Sequence, residues 1–144
     1  MDNVIIKLLS EDAKLPVYKT EGSSGADLFS AEQTILAPKE RKAVSCGLAL
    51  ELPVGYEAQV RPRSGLALNA GVTVLNAPGT IDRDYRGEVK VILYNTSDVD
   101  FSINKGDRIA QLVIASVARA TFSTAASLRD TERGCGGFGS TGAH

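Results

Sequence analysis

A chain of 144 residues is about one domain and long enough to bury a real core. Its 43% apolar and 23% charged residues lie in the ordinary range for a soluble protein. A net charge of -1 excludes a general positive field for nucleic acid or an anionic membrane, so an anionic ligand must be held by locally placed donors.

Short apolar or alternating segments recur along the chain at residues 4–9, 26–29, 42–52, 56–61, 72–75, 88–95, 99–103 and 108–117. Pro38, Gly55, Gly71, Pro78-Gly79 and Gly106 punctuate them. Many short strands between turn signals predict an all-β sandwich, barrel or jelly roll. One short helix is expected over residues 64–69, with Ser64 as its cap. In segment 88–95, Val89, Val91 and Leu93 share one face while Ile92 and Tyr94 populate the other. Segment 108–117 is apolar on both faces apart from Gln111 and Ser116. Such strands fit either a second, intersubunit interface or a central place in one thick core.

The end of the chain differs in kind. Five of the nine residues from 134 to 142 are glycine, around a single Phe138. Such a stretch buries too little surface to fold alone and reads as a mobile arm. Residues 1–120 are expected to form the core and 121–144 an extension ending in that arm. Arg133, Phe138, Ser140 and Thr141 supply a charge, a ring and two hydroxyls suited to a nucleotide. The Gly134-x-Gly136-x-x-Gly139 pattern is not a dinucleotide fingerprint, because no helix can follow it.

The chemistry has few carriers. The single histidine is His144, which sets aside a Ser-His-Asp triad and a histidine-rich zinc site. Cys46 and Cys135 have no metal-ligand spacing and read as free thiols in a reducing compartment. No apolar run is long enough for a bilayer and no leader is visible, so a cytoplasmic location (or nuclear, in a eukaryote) is expected. Carboxylates, arginines and backbone remain. Asp27 sits in Gly25-Ala26-Asp27-Leu28-Phe29. Arg61-Pro62-Arg63-Ser64-Gly65 gathers donors at a turn into the helix, a ready anion site. Asn76-Ala77-Pro78-Gly79-Thr80-Ile81-Asp82-Arg83-Asp84-Tyr85-Arg86-Gly87-Glu88 reads as a strand, a break and a hairpin turning near residues 84–87. Gln111 follows in Gly106-Asp107-Arg108-Ile109-Ala110-Gln111.

These five segments, ending in Arg133-Gly134-Cys135-Gly136-Gly137-Phe138-Gly139-Ser140-Thr141-Gly142, resemble in order the five motifs of the trimeric dUTPase family. The resemblance spans nearly the whole chain. It implies a jelly-roll homotrimer with active sites shared between subunits, hydrolysing dUTP to dUMP and pyrophosphate with Mg2+. Asp82 would be the general base that orients water towards the α-phosphorus. Arg63, Ser64, Gly65 and Gln111 would hold the phosphates. The ion would ride on the triphosphate and touch Asp27 through water at most.

Backbone from Gly79 through Thr80 and Ile81 to Tyr85, and at Lys90, with Asn76, would read the uracil edge, leaving no room for thymine's methyl. Tyr85 would pack on the deoxyribose. The arm would close last, with Phe138 stacked over uracil and Arg133, Ser140 and Thr141 at the terminal phosphates; Gly139 beside them would also be substrate-binding. Asp84 and Arg86 read as turn and surface residues, Tyr94 as core or interface, and Asp107-Arg108 as a structural ion pair or a turn. Two rivals share the fold: a dCTP deaminase, whose catalytic glutamate the Ile81–Tyr85 loop lacks, and a trimer that senses dUTP without hydrolysing it.

Overall fold

The computed structural model describes residues 3–142, so His144 lies outside the described residues. The chain folds as β1 (Ile5–Leu8), β2 (Val17–Tyr18), β3 (Ala26–Phe29), β4 (Thr34–Leu36), β5 (Arg41–Ser45), β6 (Leu48–Glu51), β7 (Tyr56–Arg61), α1 (Ser64–Ala70), β8 (Val72–Val74), β9 (Gly79–Ile81), β10 (Lys90–Asn95), β11 (Phe101–Ile103) and β12 (Arg108–Ser116). All-β architecture with one short helix agrees with the sequence. Among the described residues no helix is long and apolar enough to cross a membrane.

The largest sheet runs β2-β3-β12-β7-β9, and a second runs β5-β10-β8. Pairs β1-β6 and β11-β4 complete the wall. Period-two alternation explains how these strands close on one core. Val91 and Leu93 of β10 point inward, Ala58 and Val60 do so from β7, and Leu112 from β12. They pack with Leu28, Leu36, Val44, Leu48, Val72, Ile103 and Ile109. Each large side chain sealed there contributes about 1.5–3 kcal/mol relative to exposure. Asn95 is fully buried and hydrogen-bonded: its amide donates to the carbonyls of Leu36 (3.0 Å) and Val99 (2.8 Å), and its oxygen accepts from Ser97.

Several expected elements are corrected by the structure. Segment 42–52 is two strands: β5 pairs with β10, and β6 with β1. The break falls at Gly47, whose φ is 66° and where a β-carbon would lie 2.9 Å from Ser10 Oγ. Ser64 is not the helix cap. Arg63 occupies that position in extended conformation and makes no side-chain cap bond, because its guanidinium is turned towards β12. The helix end agrees better with its residues, closing on left-handed Gly71.

The loop after Ile81 is not the turn of a two-stranded hairpin either. β9 pairs with β7 whereas β10 pairs with β5 and β8, so residues 82–89 cross from one sheet to another. Buried Ile81 and Val89 fix the two ends of that crossing in the core, one on each side of the exposed 82–86 stretch.

Candidate functional site

Two groups of the expected residues form within one chain, at opposite ends of the large sheet. The first is built around Asp27. β12 carries Gln111 directly opposite Asp27 on one side and Arg61 on the other. Gly25 makes room for Gln111, since a β-carbon there would meet its Cβ at 3.0 Å and its Oε1 at 3.2 Å.

The Asp27 side chain is only 8% exposed, too little for water to screen it fully. It compensates by meeting two guanidiniums: Arg108 Nη1 donates to it at 3.3 Å, and Arg63 Nε stands 3.7 Å away. Arg63 also donates to the Arg108 carbonyl at 3.0 Å. Ser64 and Gly65 follow at the exposed start of α1. This is a cationic cradle with one internal carboxylate, suited to a phosphate chain.

Arg108 does not form an ion pair with Asp107, whose carboxylate instead accepts the Asn104 N–H at 2.8 Å in a turn. Arg108 is structural here in a specific sense, because it helps hold the acid that Arg63 leans on. Its only signal in the sequence was its place three residues before Gln111 in one segment.

The second group lines a cleft of about 550 Å³ formed by Ala43, Thr80, Ile81, Asp82, Tyr85, Glu88, Val89, Lys90 and Ile92. Its wall mixes backbone from β9, whose Thr80 is exposed, with the first residue of β10. Asn76 packs beside Gly79, where a β-carbon would stand 3.1 Å from its Nδ2. Asp82 also borders a cleft of about 440 Å³ with Glu57, Arg83, Asp84 and Arg119, so it stands on the ridge between two openings. Its carboxylate makes no hydrogen bond or ion pair among the described residues, while its carbonyl accepts the Tyr85 N–H at 3.1 Å.

Arg86 is more than a surface residue. Its guanidinium donates to the carbonyls of Arg83 (2.7 Å) and Tyr85 (3.3 Å) and reaches that of Leu50 at 3.5 Å, lashing the loop to β6. Glu88 was not among the expected site residues. Its carboxylate accepts from the Gly47 N–H at 3.1 Å and from the Ser45 hydroxyl, and pairs with Lys90 at 3.7 Å.

Arg133, Phe138, Gly139, Ser140 and Thr141 join neither group. They lie in a run of local turns beyond β12, with Phe138 fully exposed. No described residue beyond Leu112 is buried. Among the described residues no three His, Cys, Asp or Glu side chains gather as a metal site.

Along β7, Asp82 and Gln111 stand about four residues and two strands apart, a separation on the order of 15 Å at ordinary strand spacings, with Asp27 one strand further. No lining residue is common to the Asp82 clefts and the hollow beside Arg63 and Arg108.

Fold and side chains together define a small all-β protein that offers arginines and backbone to an anionic ligand and an unpaired carboxylate to solvent. The family model described as dUTPase matches residues 11–142, and the chain belongs to the dUTPase family. It is 59% identical over 140 residues to the deoxyuridine 5'-triphosphate nucleotidohydrolase of Hydrogenobaculum sp. (strain Y04AAS1), covering 96% of this chain and 97% of that one. The Nautilia profundicola protein of the same name is 56% identical over 137 residues, covering 95% and 96%.

Among solved structures, a mutant dUTPase of Staphylococcus bacteriophage 80alpha with dUpNHpp superposes with a TM-score of 0.91 at 27% identity, covering 97% and 98%. A mutant dUTPase from phage phi11 of S. aureus, described with a structural Mg(II) ion, gives 0.82 at 25% identity, covering 89% and 99%.

Proposed function

We propose that this chain hydrolyses dUTP to dUMP and pyrophosphate in a homotrimer whose sites are shared between subunits. The observation that carries the reading is the separation of two incomplete half-sites on a chain of this family. An acid that activates water for the α-phosphorus must stand within a few ångströms of the phosphate donors. Asp82 and the Arg63 cradle of one chain cannot both reach one triphosphate in that way. Bringing the Asp82 cleft of one subunit against the Arg63 end of another removes the difficulty, and the half-buried Ile92, Tyr94 and Val113 offer apolar surface for such an assembly.

In the assembled site, Asp82 accepts a proton from water as the oxygen attacks the α-phosphorus. The α-phosphorus–oxygen bond to the β-phosphate breaks and pyrophosphate leaves. Arg63, with the amides at Ser64 and Gly65 and the Gln111 side chain, holds charge that grows on the leaving oxygen. The cleft walled by Asn76, Gly79, Thr80, Ile81 and Lys90 takes uracil, with Tyr85 against the sugar. Residues 121–142 extend from the 1–120 core, and Phe138, Gly139, Arg133, Ser140 and Thr141 close the site.

The residues fit Mg2+ only as an ion carried by the substrate. Asp27 is the one buried carboxylate in the cradle and is already engaged by two arginines, so it would reach a metal-bound water rather than the metal. When bound, the ion neutralises phosphate charge.

Incubation with dUTP, dCTP, dTTP and UTP plus magnesium tests the assignment. Pyrophosphate is expected from dUTP alone; ammonia from dCTP, or dUTP bound without turnover, would overturn it.

A further inference from the structure

Tyr85 is folded back over its own loop. Its hydroxyl donates to the Glu88 carbonyl at 3.0 Å, so the ring spans the intervening residues. A β-carbon at Gly87 would lie 2.4 Å from that hydroxyl oxygen, 2.5 Å from Cζ and 2.8 Å from Cε2. These approaches are far inside van der Waals contact, so the ring occupies space that exists because residue 87 has no side chain. Gly87 is half-buried and is not among the positive-φ glycines. What excludes a side chain there is the tyrosine and not the backbone torsion.

We propose that Gly87 is a specificity-determining positioning residue: it seats Tyr85 flat on the loop so that the ring forms the sugar-facing wall of the cleft. The proposal rests on the reading of this cleft as a deoxynucleotide site. The backbone under the ring is held on both sides, by the three carbonyl contacts of Arg86 and by the Glu88 bond to the Gly47 N–H. A methyl group at 87 therefore displaces the ring and not the loop. Tyr85 would lift from the Glu88 carbonyl into the cleft it lines. The wall that tells hydrogen from hydroxyl at the sugar 2′ carbon would lose its position, while Asp82 and the phosphate cradle keep theirs.

The test uses the intact chain with Gly87→Ala, Tyr85→Ala and the double variant, measuring kcat/KM for dUTP and UTP. Gly87→Ala is expected to lower the dUTP-to-UTP ratio about ten-fold, within what a single pocket contact supplies. In the Tyr85→Ala background it should have no further effect, and its melting temperature should match wild type. An unchanged ratio, an equal loss in the Tyr85→Ala background, or failure of Gly87→Ala to fold would overturn the proposal.

A readout independent of turnover is the Gly87 Hα resonance, shifted upfield by the Tyr85 ring in wild type and restored in Tyr85→Ala. Its absence in wild type would remove the seat. A wild-type chain inactive on dUTP would instead overturn the functional reading, and the ring shift would still report on the seat.

Discussion

Asp27 and Arg108 lie 81 residues apart and meet at 3.3 Å across antiparallel β3 and β12, with Arg63 closing on the same carboxylate from the start of α1. The acid is buried and its partners are partly exposed. Removing the charge therefore leaves two guanidiniums without the counterion that they share. Asp27→Asn is expected to lower stability by about 2 kcal/mol, between the values for surface and buried pairs. KM for dUTP should rise about ten-fold through misplaced Arg63. Thermal melts beside steady-state kinetics check both; an Asp27 that served only a metal-bound water would leave the melt unmoved.

Asp82 has the opposite setting, exposed and with its carboxylate unpaired among the described residues. Asp82→Asn should leave the fold and dUTP binding nearly unchanged and reduce turnover by about 10²–10⁴, the range for loss of a positioned base. Calorimetric titration and single-turnover assays separate the two effects. Near-normal turnover would remove Asp82 from its role.

Deletion after Arg129 should give a folded protein with severely reduced activity, since residues 130–142 contribute nothing to the core. Stacking by Phe138 on a base would add about 1–3 kcal/mol on closure. Amide exchange over residues 134–142 should slow with a non-hydrolysable dUTP analogue. Protection already present without ligand would contradict closure.

Two defective chains should complement each other. Full-length Asp82→Asn and the arm-deleted chain each lack a different part. A mixed threefold ring contains one junction where an intact Asp82 meets an intact arm, so random mixing should restore about one quarter of wild-type activity. Co-expression with two tags and sequential purification isolates the mixed rings. Rings no more active than the parents would defeat the shared site.

Cys46 is sealed at the break between β5 and β6, and burial, with Glu88 and Glu32 nearby, pushes its thiol from 9.0 up to about 12. Its proton is held in the folded state but lost in the unfolded one above pH 9. Stability is therefore unaffected below that pH and falls by up to about 1.4 kcal/mol per unit from pH 9 towards 12. Iodoacetamide at pH 8 should label exposed Cys135 alone, as mass spectrometry of digests would show. Equal labelling of Cys46 would refute its burial.

The long alternating strands were legible because period-two burial is a local signal: β7, β10 and β12 lie within the segments read from sequence. β2 and β4 were not singled out as strands, since runs of two or three residues carry little period of their own; β8 and β11 are as short but lie inside longer apolar segments. Resemblance named Asp82, Arg63 and Gln111, and the structure puts Asp82 in one group and the other two in another. What sequence could not express was pairing. Nothing local says that Arg108 faces Asp27, that Arg86 reaches Leu50, or that β9 and β10 belong to different sheets. The Ser64 cap failed for the same reason, because a partner far along the chain claims the neighbouring Arg63.

Beyond β12, residues 117–142 bury no side chain of their own. Substitutions there bypass the usual filter, in which a mutation is first judged by whether the domain still folds. Phe122, at 97% exposure, and Leu128, at 90%, are large apolar groups that stand in solvent outside the core cluster. A saturation library over this stretch, scored once for folding and once for activity, would read nearly blank on the first scale. Its second map would then be a footprint of the surfaces the tail visits.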